Sequence, residues 1–264
     1  MIDGLLAIDA HCHIGDFQGE RFGLRHFTAE DLVARMDANG VDKSLVCYLA
    51  SPLVEQEDFK RANNAVVEAT WKHPARLVGA CIVNPKHTQF AQQEVRRCIE
   101  AGLKAVKLQP VLHGSYAVDG DLVDPIAKLC ADAGAPLIVH SDFNSRCCTP
   151  YQVAHLAARF PQLTVVMLHM GLDFEMLGHL PDIVRPHRNL YLEASQTPDS
   201  PQAVYVNPVR RLGADRVLFG SDLPLLSVEV NLAKLSLAER LHGLSRDEKR
   251  QILGANAAHL FGIS

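Results

Sequence analysis

The amino-acid sequence predicts an α/β fold, a (β/α)8 TIM barrel in which residues 1–264 form one domain with an extra helix at the C-terminus. Apolar runs that suit strands alternate with helical segments along the whole chain, as is typical of α/β proteins. The runs are almost continuously apolar, which is expected of parallel strands covered by helices. Eight such units in 264 residues match the size of a barrel. A doubly wound open sheet is the competing fold, and it is disfavoured because no glycine-rich phosphate turn follows the first strand.

The eight units follow one another in chain order. The strands are expected at residues 5–15, 43–50, 77–84, 104–109, 136–141, 163–169, 189–195 and 216–222. The helices are expected at residues 29–39, 59–72, 88–101, 122–133, 150–160, 176–184, 201–212 and 228–241, of which 176–184 is less regular. The extra helix is expected at residues 246–261.

Residues that cap or break helices support these boundaries. Thr28 suits the N-cap of the first helix, and Gly40 suits its end. The second helix is expected to end before Pro74, because the residue before a proline avoids the helical conformation. Gly102 ends the third helix, and Ser245 suits the N-cap of the extra one.

Composition and charge exclude several classes of protein. The formal net charge is −4 and no run of Lys or Arg occurs, which argues against nucleic acid as a partner. No uncharged apolar run reaches the ~18 residues that a membrane span needs. The N-terminus does not look like a signal peptide and the seven cysteines are scattered, so a reduced, cytoplasmic protein is expected. A small-molecule substrate is the expected partner, and a homo-oligomer is compatible with the sequence.

His11 and His13 form a candidate metal-binding pair at the end of the first strand. Alternate side chains of a strand point to the same face, so the two imidazoles project together with their β-carbons roughly 7 Å apart. Two imidazoles can close that gap onto one ion. Cys12 then points to the opposite face. Alone the pattern is weak, because two ordinary histidines near a turn look the same.

Three later strands also end in residues that bind metals. The fifth and sixth strands end in His140 and His169, and the eighth ends in Asp222. Active sites of such barrels lie at the C-terminal ends of the strands. Four histidines and one aspartate at the same end of one barrel therefore predict a metal site there.

Lys107 lies in the fourth predicted strand, where Ala105, Lys107 and Gln109 share the face that enters the barrel. A buried ammonium needs an anion beside it, because burying an unpaired charge is costly. Three interpretations stay open: an ion pair with a carboxylate such as Glu193, contact with an anionic substrate, or a carbamylated lysine that bridges two metals. The same alternation turns Glu193 and Ser195 of the seventh strand inward.

With these residues the chain resembles the amidohydrolase superfamily, in the amidohydrolase-related branch called amidohydrolase family 2. The matching motifs run in order over nearly the whole chain. They are Ile8-Asp9-Ala10-His11-Cys12-His13, Val106-Lys107-Leu108-Gln109-Pro110, Val139-His140, Leu168-His169-Met170-Gly171, Leu218-Phe219-Gly220-Ser221-Asp222-Leu223-Pro224 and Gly254-Ala255-Asn256-Ala257-Ala258-His259-Leu260-Phe261. They are specific for the superfamily and much less so for the reaction, because the branch includes hydrolases of amides, esters and lactones, non-oxidative decarboxylases and a few hydratases.

The resemblance implies a metal site and its ligands. The implied ligands of one divalent ion, with Zn²⁺ favoured, are His11, His13, His140 and Asp222. His169 then approaches the substrate, or binds a second ion in a two-metal member. Lys107 matches a lysine of this branch that is generally not a bridging carbamate, so one ion is favoured.

A metal-dependent hydrolase is the expected enzyme. Zn²⁺ lowers the pKa of a bound water to near ~7, Asp222 accepts the proton of that water, and His169 polarises the substrate carbonyl. The alternative is a decarboxylase, in which the metal binds substrate oxygens and Asp222 or His169 protonates the carbon as CO₂ leaves. Hydrolysis is favoured because decarboxylases of this branch tend to be longer, with larger loop insertions. A scaffold protein with a vestigial site is disfavoured, because no ligand is missing.

Loops at the predicted catalytic face supply candidate substrate contacts. Arginines there favour a carboxylate-bearing small molecule, because the guanidinium fork matches that group. The predicted substrate-binding residues are Lys107, Tyr116 and Arg146. Further candidates on these loops are Phe17, Arg21, Arg25, His113 and Asn144.

Overall fold

The computed structural model describes residues 1–16, 26–50 and 53–263, and it confirms the predicted barrel. Eight parallel strands lie side by side in the order in which they occur in the sequence. Their bounds are β1 Ile8–Ile14, β2 Lys43–Tyr48, β3 Leu77–Ile82, β4 Ala105–Leu108, β5 Leu137–His140, β6 Val165–Leu168, β7 Leu190–Glu193 and β8 Val217–Leu218.

The last strand and the turn after it close the barrel against β1. The amide of Ala10 donates to the carbonyl of Phe219 over 3.0 Å, and the amide of Asp222 donates to that of His11 over 2.8 Å. These bonds pair backbone groups that an open sheet leaves exposed at its two edges. The competing doubly wound sheet is thereby excluded.

Helices cover the outside of the barrel. In the described ranges they are α1 Ala29–Asn39, α2 Gln56–Lys72, α3 Thr88–Glu100, α4 Asp124–Ala133, α5 Pro150–Arg159, α6 Met176–Val184, α7 Asn207–Leu212, α8 Val228–His242, α9 Arg246–Arg250 and α10 Asn256–Phe261. Thr28 caps α1 as predicted, since its hydroxyl accepts from the amide of Asp31 over 3.0 Å. None of these helices combines the length and the apolar character that crossing a membrane requires.

The predicted closing helix is interrupted by a π-helical turn, Gln251–Ala255, between α9 and α10. Gly254 in this turn lies against the chain that enters β1, and a Cβ added to it would lie 2.3 Å from the carbonyl oxygen of Leu6. Asn256 follows, and its amide donates to the carbonyls of Ala214 and Val217 over 2.7 and 2.8 Å. The extra helix is therefore hydrogen-bonded to the segment around β8 and packs closely against the chain that enters β1.

Buried apolar side chains form two clusters, one on each side of the sheet. The larger cluster fills the space between strands and helices and includes Val106 and Leu108. The smaller cluster fills the barrel and includes Ile8, Ala10, Leu45, Ala80, Ala105, Ile138, Val166 and Leu218. The predicted facing of β4 is confirmed, since Ala105 lies inside the barrel and its two apolar neighbours face the helices.

Replacing Gly254 with alanine is expected to destabilise the fold. The new Cβ would meet a backbone oxygen at 2.3 Å, and a backbone cannot rotate away as a flexible side chain can. We expect the free energy of unfolding, measured with urea, to fall by roughly 1–3 kcal/mol, the usual cost of overpacking. The control is Gly178→Ala in α6, which has no atom within 4 Å and is expected to lose nothing. Equal losses in the two variants would contradict the close packing of this turn.

Candidate functional site

A β-bulge in β1 turns His11 and His13 into the barrel. Between Asp9 and Cys12, β1 advances three residues while β2 advances two. Ala10 lies inside the barrel, so strict alternation would turn His11 outward. The extra residue reverses the alternation, leaving Cys12 against the helices and both imidazoles inside, with ring centroids 4.6 Å apart. Alternation places the two histidines on the same face of β1, as predicted. The bulge makes that face the inner one.

Asp222 faces both histidines from the end of β8. Its Oδ1 lies 3.1 Å from His11 Nε2 and 3.0 Å from His13 Nε2. Its Oδ2 accepts a hydrogen bond from the side-chain amide of Gln196. Burial alone raises the pKa of Asp222, but the two histidines outweigh burial and hold that pKa well below its ordinary value. Asp222 is therefore an ionised carboxylate with partners on both oxygens.

Asp9 joins the strand that carries the histidines to the turn that carries Asp222. One carboxylate oxygen accepts from the amides of His11 and Ser221 over 3.1 and 2.9 Å, and the other accepts from the Ser221 hydroxyl. Burial raises the pKa of Asp9 to about 6, although the bonds from Ser221 oppose the rise. Because one buried side chain holds both segments, it fixes the spacing between His11 and Asp222.

His169, Gln196 and Asp222 take left-handed backbone conformations after β6, β7 and β8. Their φ angles are 63°, 54° and 60°. Such conformations cost on the order of 1–3 kcal/mol each and persist where the surrounding structure enforces them. His169 shows the effect, since Leu168 lies inside the barrel and alternation alone would turn the next side chain outward. Ser141 supports this turn by donating to the carbonyl of Leu168.

His169 is held by a chain of buried hydrogen bonds from β7. Its Nδ1 lies 2.9 Å from Ser195 Oγ, which lies 2.8 Å from Glu193 Oε2. All three residues are at most 2% exposed. Burial lowers the pKa of His169 well below its ordinary value and raises that of Glu193. The imidazole also lies beside the rings of His11 and His140, at centroid distances of 5.3 and 4.9 Å.

His140 lies beside His169, and it is not part of the closest sets of potential metal-binding atoms. Among the described residues, two sets of three donors have their ligand atoms within 4.8 Å of one another: His11, His169 and Asp222, and His11, His13 and Cys47. The Nδ1 atom of His140 is buried and has no hydrogen-bond partner. Burial lowers the pKa of His140 to about 3, so the imidazole is neutral, which is the form that binds metals.

Lys107 and Cys47 line the same site. Lys107 Nζ lies 3.1 Å from His11 Nε2, and burial lowers the pKa of this ammonium. No carboxylate among the described residues lies within 4.0 Å of Nζ, so the ion pair with Glu193 does not form. Cys47 Sγ lies 3.2 Å from His13 Nδ1. Burial alone raises the pKa of Cys47, but the facing histidines outweigh burial and lower it.

Sequence reasoning missed Asp9, Cys47 and Gln196. Cys47 pairs directly with His13 in the register of β1 and β2, so an examination of every strand end, including those without His or Asp, would have found it. Asp9 lies within the same motif as His11, and only its hydrogen bonds reveal its role. Gln196 had no signal, because a left-handed turn decides where its side chain points.

The predicted substrate contacts lie in different surroundings. Tyr116 is buried, and its hydroxyl has no hydrogen-bond partner. Arg146 and Asn144 are exposed in the loop between β5 and α5. Three of the candidates lie outside the described residues: Phe17, Arg21 and Arg25.

His113 is a buried imidazole in the loop after β4, and neither of its ring nitrogens has a hydrogen-bond partner. Its ring packs edge-on against Phe59, with centroids 5.0 Å apart. Burial, helped by the charge of Lys107, lowers the pKa of His113 to about 3. Buried polar groups without partners are rare and costly, so a ligand or water is expected to pair with this neutral ring.

The donor atoms fit a divalent metal ion. Oδ1 of Asp222 lies 3.0–3.1 Å from each of two imidazole Nε2 atoms. Neighbouring ligands bound at about 2.1 Å and at right angles lie about 3.0 Å from each other. Neutral imidazole and carboxylate are ligands that suit first-row metal ions. Lys107 Nζ contacts the same nitrogen of His11, so an ion bound by this nitrogen would replace that contact and the contact with Asp222 Oδ1.

Solved structures with the same fold cover nearly the whole chain. The 2,6-dihydroxybenzoate decarboxylase from Rhizobium superposes with a TM-score of 0.78 at 17% identity, covering 98% of this chain and 99% of its own. The 5-carboxyvanillate decarboxylase from Novosphingobium aromaticivorans, complexed with manganese, superposes with a TM-score of 0.75 at 17% identity, covering 98% of this chain and 96% of its own. At these identities the likeness shows the fold.

A curated relative is the 2-amino-3-carboxymuconate-6-semialdehyde decarboxylase of Dictyostelium discoideum, 24% identical over 254 residues that cover 82% of this chain and 69% of the relative. This relative and both solved structures are decarboxylases, so the prediction of a hydrolase is wrong. The argument from short loops failed, because this 264-residue chain matches decarboxylase structures over 98% of its length, although it covers only 69% of the Dictyostelium decarboxylase. Short loops therefore do not exclude a decarboxylase.

A family model described as Amidohydrolase matches residues 8–263 of the 264-residue chain. The match runs from the first residue of β1 to the end of the closing helix, and it includes every donor atom described above. The chain therefore belongs to the amidohydrolase family and is an enzyme of that superfamily.

Proposed function

We propose that this enzyme is a metal-dependent decarboxylase that releases CO₂ from a small carboxylate-bearing molecule. The observation that carries the proposal is the convergence of His11, His13 and Asp222 beside the tethered His169. The decarboxylases among its relatives and structural neighbours support this reaction. In the net reaction, the bond between the substrate carbon and its carboxylate breaks, and a bond to hydrogen replaces it.

A divalent metal ion is the proposed cofactor. Its proposed ligands are His11, His13, His140 and Asp222. A bound ion withdraws electron density from substrate oxygens, which stabilises the negative charge that develops as CO₂ leaves. The sequence favours Zn²⁺, and the manganese complex of 5-carboxyvanillate decarboxylase supports Mn²⁺ as the other candidate.

His169 is the proposed proton carrier. Its Nδ1 is bonded to Ser195, which leaves Nε2 to exchange a proton with the substrate. Asp222 is less suited to this step, because it is a proposed ligand of the ion and its Oδ2 accepts from Gln196. We therefore assign Asp222 to ion binding and His169 to protonation of the carbon.

Lys107 and His113 are the proposed contacts to substrate oxygens. Lys107 places positive charge next to the donor cluster, where a substrate carboxylate or enolate oxygen needs it. His113 offers a neutral imidazole with no protein partner. The unpaired hydroxyl of Tyr116 is a further candidate contact, and Arg146 stays a prediction.

The reaction type can be tested with 2,6-dihydroxybenzoate, 5-carboxyvanillate and 2-amino-3-carboxymuconate-6-semialdehyde. We expect the metal-loaded enzyme to release CO₂ from at least one of them, with one solvent deuteron on the product carbon when the reaction runs in D₂O. Mass spectrometry of the product and a CO₂ assay measure both. Hydrolytic products carrying labelled water oxygen, or no CO₂ from any of the three acids, would count against a decarboxylase.

Metal binding can be tested on the ligands themselves. His13→Ala removes one neutral nitrogen donor, so we expect metal affinity to fall at least about 10-fold, since even changes to groups around metal ligands cost that much. Elemental analysis after equilibration with Zn²⁺ or Mn²⁺ measures the bound ion. The control is His242→Ala, at the exposed end of α8. Unchanged metal content in the His13 variant would remove this residue from the ligand set.

The neutral state of His113 predicts a pH dependence of stability. Its folded pKa of about 3 lies below the ordinary value of 6.5, so only the unfolded chain gains a proton as the pH falls. The neutral form of His113 therefore contributes to the free energy of unfolding. This contribution is complete above pH 6.5 and is lost towards pH 3, at about 1.4 kcal/mol per pH unit. Between pH 7 and pH 5, His113→Phe is expected to lose roughly 2 kcal/mol less than the wild type in urea unfolding.

The control for that comparison is His259→Phe, because His259 is exposed in α10. It is expected to follow the wild-type pH profile. An identical profile for His113→Phe would mean that His113 is protonated in the folded protein.

A further inference from the structure

We infer that Ser195 and Glu193 are positioning residues that hold His169 in one tautomer, with the proton on Nδ1 and the lone pair on Nε2. The inference rests on the proposed function, because it assigns the atom of His169 that exchanges a proton with the substrate. It goes beyond that function by naming two residues that act on the histidine without touching the substrate.

The geometry forms one continuous chain. His169 Nδ1 lies 2.9 Å from Ser195 Oγ, and this oxygen lies 2.8 Å from Glu193 Oε2. Ser195 and Glu193 are fully buried, so water does not compete for these bonds. Glu193 Oε2 also accepts from the amide of His169 over 3.3 Å. The glutamate therefore holds both the backbone and, through the serine, the ring of His169.

The direction of the bonds follows from the proton count. Glu193 faces three donors, namely the amide of His169, the amide of Ser195 at 2.6 Å and the Ser195 hydroxyl. Three donors suit a carboxylate, which only accepts. Ser195 has one hydroxyl proton, and its hydroxyl donates that single hydrogen bond to Glu193. Its oxygen can then only accept from the imidazole, so Nδ1 carries the proton.

Gly220 of the segment after β8 makes room for the glutamate. A Cβ on Gly220 would lie 2.1 Å from Glu193 Oε1, closer than any real contact. The absence of a side chain at position 220 therefore lets the carboxylate lie deep enough in the barrel to reach both His169 and Ser195. The glycine next to Ser221 and Asp222 in the family motif thus has a steric role in this chain.

The order of His169, Ser195 and Glu193 differs from that in a hydrolytic triad, where the serine is the nucleophile. In a hydrolytic triad the histidine stands between serine and carboxylate and takes the serine proton. In this chain the serine stands between histidine and carboxylate, is fully buried and donates its hydroxyl hydrogen bond to the carboxylate. Ser195 therefore positions the imidazole and does not attack the substrate.

The Nδ1–H tautomer gives the protonation step a defined path. The lone pair on Nε2 takes a proton from solvent or from an acidic group of the substrate, and the imidazolium faces the Glu193 carboxylate through Ser195. The carbon–carboxylate bond then breaks, CO₂ leaves, and the electron pair left on carbon takes the proton from Nε2. His169 returns to its starting tautomer, so atoms and charge balance over one turnover.

The tautomer can be read without any substrate. Long-range proton–nitrogen NMR correlations of the Zn²⁺-loaded protein with isotope-labelled histidine distinguish Nδ1–H from Nε2–H, and the signals missing from His169→Gln identify His169. We expect Nδ1–H in the wild type and in Ser195→Thr, and a mixture of tautomers in Ser195→Ala. Glu193→Gln is expected to reverse the chain and favour Nε2–H, because its amide donates to the serine oxygen. Nε2–H in the wild type would overturn the inference.

Kinetics add a readout that a general loss of structure would not give. Ser195→Ala is expected to lower kcat about 10- to 100-fold with little change in KM, since a misdirected proton donor loses part of the usual acid–base contribution. Ser195→Thr is expected to restore kcat. The control is Ser44→Ala in β2, because this serine is also fully buried and its hydroxyl has no partner. A lower kcat together with a clearly changed KM, neither of which Ser195→Thr restores, would overturn the positioning role.

The two hypotheses fail separately. If no acid is decarboxylated but the NMR tautomers respond as expected, the proposed function is wrong and the positioning of His169 stands. If CO₂ is released but the tautomer of His169 does not depend on Ser195 or Glu193, the proposed function stands and the inference is wrong.

Discussion

The site depends on the hydrogen bonds that Asp9 makes across the seam of the barrel. Its carboxylate holds the amide of His11 in the bulge of β1 and both the amide and the hydroxyl of Ser221 after β8. Burying this acid raises its pKa to about 6, so the bonds stabilise an otherwise unfavourable buried charge. The same carboxylate reinforces the closure of the barrel and sets the distance between His11 and Asp222. Stability and function therefore share one interaction.

The site lies where the regular strand geometry stops. A bulge turns His11 and His13 inward, and left-handed residues after β6, β7 and β8 turn His169, Gln196 and Asp222 over the opening. The cost of these conformations is met by the apolar clusters on both faces of the sheet and by buried hydrogen bonds at each turn. A regular scaffold thus enforces several irregular positions that no isolated segment would adopt.

The contrast between regular strands and irregular turns explains what the sequence could predict. Apolar periodicity and caps predicted the eight units, the barrel and the closing helix, because those features depend on local patterns. Strand ends predicted which residues gather at the opening. Alternation could not predict their directions: it would turn His169 outward, and it gave no reason to notice Gln196. The reaction was beyond reach for a related reason, since the same donors suit an ion in a hydrolase and in a decarboxylase.

Hydrolysis and decarboxylation differ in which side chain beside the proposed metal site must transfer a proton. In a hydrolase Asp222 would accept a proton from a bound water, yet its Oδ2 already accepts from Gln196. A decarboxylase needs a proton carrier at the carbon, and His169 is tethered at Nδ1 by Ser195 with its other nitrogen left for that role. Glu193 also accepts from the amide of His169, so both the backbone and the ring of this histidine are held in place. The hydrogen bonds around the donors, more than the donors themselves, therefore support the proposed loss of CO₂.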